Sequence, residues 1–123
     1  MQENFRQFLD RLRDNRELVD LTQPVDIRHI ATLVDQAKTA LLFHNVIGYR
    51  MPVVSGIIRS RERATMALNC ANFSEIEHKL AAAIAKPIPP KRVNGSPTRE
   101  VTLTGDDVDL FKLPIPMSSI YDG

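Results

Sequence analysis

Apolar positions recur along this chain at helical spacing first, then in short β-like runs. Phe5, Phe8, Leu9 and Leu12 share one helical face, with Arg6, Gln7, Arg11 and Arg13 on the other, which predicts an amphipathic helix over residues 4–15 ending near Asn15. Residues 18–21 read as a short strand closed by Pro24. Asp26 is placed to cap a second helix whose buried stripe is Ile30, Leu33, Val34 and Ala37. The apolar run at 40–43 has strand length. Gly48 and Pro52 then mark a turn before a strand at 53–58, inside which Gly56 signals a bulge or a close backbone approach.

Ser60 caps a predicted helix over 61–69. Ser74 and Glu77 fit a reciprocal capping box for the next one, whose stripe is Ile76, Leu80, Ala83 and Ile84 and which must stop before Pro87. Pro87, Pro89 and Pro90 enforce an extended connector over 86–92, and Asn94-Gly95 marks a turn. Residues 100–104 alternate with β-branched side chains and read as a clear strand. Asp106, Asp107 and Asp109 supply capping carboxylates for a short turn ending near Pro114. The expected fold is α/β (α+β): about four strands and four helices in the order α-β-α-β-β-α-α-β.

Composition narrows the class without naming a function. At 123 residues, 43% hydrophobic and 25% charged, the chain can build a single ordinary core. A net charge of +1 gives no field that would select nucleic acid or a membrane. The lone Cys70 excludes an internal disulfide and suits a reducing cytosol, so a cytoplasmic location is expected. Residues 1–7 carry no secretory pattern, and the longest apolar run, 80–85, is far short of the ~20 residues that span a bilayer.

Local chemistry is sparse. His29, His44 and His78 have no metal-ligand spacing, and the aspartates at 106–109 lack the glycine and distant glutamate of a calcium loop. Arg59, Arg61, Arg63, Lys91, Arg92 and Arg99 could form a basic face, but Glu62 interrupts it and no aromatic residue interleaves for stacking. The glycines form no phosphate loop, the serines no nucleophile elbow, and Cys70 has no base near it in sequence. No residue of this chain is therefore expected to be catalytic, cofactor-binding or metal-ligating. Two other classes stay open at this point: an adaptor that docks through its proline-rich connector, and a small nucleic-acid binder using Arg59, Arg61, Arg63 and Lys91.

In order, the segments resemble the amino-terminal region of the UbiD family of aromatic and α,β-unsaturated acid decarboxylases. Residues 5–19 are similar to its first helix and strand, and Pro24-Val-Asp26 to the step before its second helix. Phe43-His-Asn-Val-Ile-Gly-Tyr-Arg-Met-Pro-Val53 resembles the segment F-x-N-V-x-G-Y-x-M-P-V, and Ser60-Arg-Glu-Arg63 the S-R-E-R helix start. Thr104-Gly-Asp-Asp-Val-Asp-Leu-Phe-Lys-Leu-Pro-Ile-Pro116 is similar to T-G-x-D-V-D-L-x-x-L-P-x-P.

The resemblance implies prenylated FMN held with a divalent metal (Mn or Mg) and potassium in the full-length enzyme, and homo-oligomers. It also implies a glutamate–arginine–glutamate set for proton transfer and asparagine, histidine and glutamate metal ligands. All of these are expected beyond the D-G-G motif that Tyr121-Asp122-Gly123 resembles in its opening. It further implies an amino-terminal domain over residues 1–113, with 114–123 leading into a flavin-binding β-barrel domain that this truncated chain lacks. Its partner would be the rest of its own polypeptide. Leu110, Phe111 and Leu113 would pack across the boundary. Arg50 stands at a position that varies in the family. Ser118-Ser-Ile-Tyr121 departs from the tryptophan–histidine variant, which suits the branch acting on small aromatic or heteroaromatic acids.

Overall fold

The computed structural model describes residues 3–122. Helix α1 spans Phe5–Asp14. Its N-terminus is closed by a reciprocal capping box, in which Asn4 Oδ1 accepts from the Gln7 amide and Gln7 Oε1 accepts from the Asn4 amide. At the other end Arg16 adopts a left-handed conformation at φ 61. The Glu17 amide bonds the Leu12 carbonyl at 2.8 Å and the Arg16 amide that of Arg13 at 3.0 Å, the paired bonds of a Schellman motif. That turn delivers the chain into β1, Leu18–Leu21.

Strands β2 (Ala40–Phe43) and β3 (Val53–Ser55) complete a three-stranded sheet in the order β1-β2-β3. The β1–β2 pair is parallel, with Leu18 opposite Ala40, and crosses over through α2, Ile30–Gln36. The β2–β3 pair is antiparallel, with Leu42 opposite Val54. A parallel bridge between Val25 and Val46 extends the first pairing beyond its strands. Central β2 is apolar throughout because both its faces are covered. On one side Leu41 and Phe43 pack with Val25, Ile30, Val34 and Val46; on the other Ala40 packs with Phe8, Leu12 and Leu18. The core is thus a sheet between α2 and α1.

Helix α3 spans Arg61–Ala67, and the Ser60 side chain caps it by accepting from the Arg63 amide. Asn69, at φ 49, ends it with the same paired geometry as α1, through the Cys70 amide to Thr65 and the Asn69 amide to Met66. Helix α4 spans Ser74–Ala85 and buries none of its side chains. Beyond it, among the described residues, lie only three short 3-10 turns, Pro97–Arg99, Gly105–Asp107 and Leu110–Lys112.

Four expectations are corrected. Residues 100–104 form no strand, because among the described residues they take up no backbone pairing with the sheet; the sheet has three strands. The third strand stops at Ser55, since Gly56 turns the backbone to φ +79. Asp26 caps the loop before α2 by accepting from the Arg28 amide, while the helix itself begins at Ile30 without a side-chain cap. At α4 the predicted Ser74–Glu77 box is replaced by Asn72 and Glu75: Asn72 Oδ1 accepts from the Glu75 amide, and Glu75 Oε2 from the Ala71 amide. The Tyr121-Asp122-Gly123 motif lies partly outside the described residues, as does the start of the leader reading at residues 1 and 2.

Candidate functional site

The buried polar centre of the molecule is Arg63, only 2% exposed. Its guanidinium donates to the Gly56 carbonyl at 2.9 Å, the Lys38 carbonyl at 2.9 Å and Glu17 Oε2 at 2.8 Å. Four connections therefore meet at one side chain: the end of α1, the α2–β2 loop, the β3–α3 loop and α3 itself. The Schellman turn after α1 aims Glu17 at it. Among the described residues no buried side-chain nitrogen or oxygen lacks a partner, and Arg63 acts as a structural clamp.

Two further arginines of the expected basic face, Arg59 and Arg61, are also engaged within the chain. Arg59 donates to the Val34 carbonyl and pairs with Asp35 at 2.5 Å, and Arg61 lies over the Phe73 ring at 5.1 Å from its centroid. Arg59, Arg61 and Arg63 consequently present no common stripe to a phosphate backbone.

The histidines are separate from one another. His29 precedes α2 and is exposed, and His78 lies on exposed α4. His44, just after β2, places Nε2 2.7 Å from Asp20 Oδ1. Asp20 also receives Arg13 Nε at 2.7 Å. The Arg13 contact, aided by His44, holds the Asp20 carboxyl down at about 2. Asp26 is likewise held well below the usual carboxylate range by the Arg28 guanidinium and amide. The Asp20 pairs fasten β1 to α1 and to the residue after β2. Among the described residues no three His, Cys, Asp or Glu side chains converge as a metal site. Asp106 and Asp107 sit in an exposed turn and Asp109 caps the next one by accepting from the Phe111 amide at 3.0 Å.

Two open cavities flank α2. One, of about 550 Å³, is lined by Val25, Asp26, His29, Leu33 and Ile47. The second, of about 420 Å³, lies where the Met117 amide bonds the Ile27 carbonyl at 3.2 Å and Ser118–Ile120 run past Arg28 and Thr32. The first offers a carboxylate and apolar walls, the second a single arginine already paired with Asp26. Neither presents the clustered donors that a flavin phosphate needs.

The remaining feature is an apolar surface. Ile84 on α4, Ile88 in the connector, and Val101, Leu103, Leu110, Phe111, Ile115, Ile120 and Tyr121 beyond it are all exposed, Phe111 at 92%. Soluble monomers rarely leave so many large apolar side chains uncovered, so these residues are the candidate functional ones. The sequence points to Leu110 and Phe111 for such a role, whereas Ile84, expected in a buried stripe, is exposed. No described helix is long and apolar enough to cross a membrane.

Comparison with solved structures explains the shape. The chain is similar to the UbiD-class enzyme HmfF from Pelotomaculum thermopropionicum, solved in complex with FMN, at a TM-score of 0.84 and 35% identity over 93% of this chain and 26% of that one. An evolved dimeric form of the same enzyme, in complex with prenylated FMN, matches at 0.84 and 35%, covering 93% and 28%. Vanillic acid decarboxylase from Sedimentibacter hydroxybenzoicus, at 22% identity, shares the fold with a TM-score of 0.79 over 97% and 28%. The chain thus spans about a quarter of the length of these enzymes. Residues 9–83, which hold most of the core, match the family model of the 3-octaprenyl-4-hydroxybenzoate carboxy-lyase N-terminal domain, and the chain belongs to that UbiD family.

Proposed function

We propose that this chain is the amino-terminal structural domain of a UbiD-like decarboxylase. The enzyme would act on an aromatic, heteroaromatic or α,β-unsaturated carboxylic acid through prenylated FMN. The observation that carries this reading is the division of the molecule. Residues up to about 66 close a two-sided core, while the large apolar side chains from Ile84 to Tyr121 face outward. An arrangement of that kind braces something else.

Within this reading residues 1–113 form the domain and 114–123 lead into the flavin-binding part. The lead-in starts from a fixed point, because the Met117 amide is tied to Ile27. The described residues of this chain do not fit a metal or a flavin phosphate: no donor set converges among them, and the cavity at α2 carries Asp26. The prenylated flavin, a divalent metal and potassium are therefore assigned to the rest of the polypeptide, in a cytoplasmic and homo-oligomeric enzyme. When bound, the flavin supplies the covalent chemistry that makes carbon dioxide loss or addition feasible. This domain contributes rigidity and a covering surface.

The test is to produce the whole polypeptide, load it with prenylated flavin and manganese, and follow carbon dioxide release from a panel of small aromatic and heteroaromatic acids. Flavin uptake with turnover of at least one acid is expected. A whole polypeptide that takes up no flavin contradicts the proposal.

A further inference from the structure

Residues 100–104 carry a strand pattern without a strand's hydrogen bonds. Val101 and Leu103 share one face of an extended chain, and Thr102 and Thr104 the other. Both apolar members are open to solvent, at 77% and 57%. Among the described residues, no acceptor meets the amides of Val101, Thr102, Leu103 or Thr104, although every neighbouring turn is satisfied. Upstream, the Glu100 amide closes the Pro97–Arg99 turn on the Pro97 carbonyl at 3.2 Å, and the chain bends at Val101. Downstream, Thr104 is extended at φ -138 and ψ 155, and its carbonyl accepts from the Asp107 amide at 3.2 Å. Gly105, at φ +57, then turns the chain away. The segment is held at both ends by local turns and left open between them.

An alternating β-branched segment with free amides and an exposed apolar face is matched by one kind of surface, the open edge of a β-sheet. The domain's own sheet has outer edges at β1 and β3, yet among the described residues 100–104 pair with neither. We propose that residues 100–104 pair as a strand with an open sheet edge in the part of the polypeptide outside this chain. This rests on the reading above that such a part exists. In that pairing Val101 and Leu103 enter the apolar core of the partner sheet, continuous with Leu110 and Phe111, and the two threonines face the other side. Backbone pairing fixes the register and the apolar face supplies the adhesion.

Amide hydrogen exchange on the whole flavin-loaded polypeptide tests this directly, with the β2 amides of Leu41 and Phe43 as the protected reference. The expected result is slowing by roughly 100-fold or more, relative to unstructured chain, at alternate amides of 101–104 for an edge strand or at all four for an interior one. Coil-rate exchange at all four in a polypeptide that has taken up flavin overturns the pairing and leaves the proposed function standing. Protection that appears only as protein concentration rises also overturns it, because the partner would then be a second copy. A polypeptide that shows the protection but takes up no flavin supports the pairing while the functional reading fails.

Discussion

Replacing Arg63 with methionine should be the most damaging single change in the core that leaves its packing volume nearly intact. Methionine keeps much of the apolar stem but removes three charge-assisted hydrogen bonds, to Gly56, Lys38 and Glu17. The Lys38 carbonyl loses its side-chain donor, the Gly56 carbonyl keeps only the Arg59 amide at 3.3 Å, and the Glu17 carboxylate, 29% exposed, loses its counter-ion. Breaking one side of a buried pair costs about 3–5 kcal/mol, and the partial exposure of Glu17 places this case near ~3. Domain stabilities are about 5–15 kcal/mol, so this is a large fraction. With a urea m-value of about 1–1.5 kcal/mol/M, the midpoint should fall by roughly 2–3 M in equilibrium unfolding followed by far-UV circular dichroism. Adding Glu17→Gln to Arg63→Met should cost less than the sum of the single changes, by about 1 kcal/mol. A loss below ~1 kcal/mol for Arg63→Met, with an unchanged m-value, would refute the clamp.

Other positions give graded outcomes by the same assay. Gly56→Ala should destabilise by about 1–2 kcal/mol or more, because φ is +79 and the new Cβ would lie 3.2 Å from Val34 Cγ1. Arg16→Gly should stabilise by roughly 0.5–1 kcal/mol, since the left-handed position at φ 61 then carries no Cβ penalty. Asp20 titrates at about 2 in the folded chain, below its ordinary 3.8, so its stabilising effect is present above about pH 4 and is lost as pH falls towards 2. With a third of its side chain exposed, the effect should be below ~1 kcal/mol, and Asp20→Asn should flatten that part of the pH profile. Phe111→Asp should reduce dye binding by the isolated chain and weaken the assembled enzyme. Unchanged thermal stability of the assembled enzyme would exclude Phe111 from the covered face.

The first half of the fold was legible because its signals are local and agree with the tertiary answer. The alternation of Phe8 and Leu12, the apolar run at 40–43 and Ser60 before α3 each specify an element whose burial the sheet then rewards. Gly56 was legible as a close approach for the same reason. The Schellman ends at Arg16 and Asn69 were not, since neither residue is a glycine. Nor was the capping box at Asn4, whose side chain is matched by Gln7 across a turn that pattern alone does not single out. Residues 100–104 and α4 misled in the opposite way. Their apolar periodicity is real, but periodicity reports a face that wants covering and not where the cover lies. Arg63, read as part of a basic surface, shows the matching limit for charge, because its three acceptors come from residues 7 to 46 positions away. The absence of recognisable local chemistry left function to the ordered resemblance, which the family match over residues 9–83 bears out.

Flavin binding by the 123-residue chain itself is the most direct test of the central claim, that this domain supports a flavin enzyme without holding its flavin. The purified chain is titrated with prenylated FMN and manganese, and bound flavin is read from its absorbance after removal of free cofactor. No uptake is predicted at any cofactor concentration that fully loads the whole polypeptide. Stoichiometric uptake by the chain alone would contradict the claim and place the site within residues that here form a core, a clamp and an uncovered apolar face.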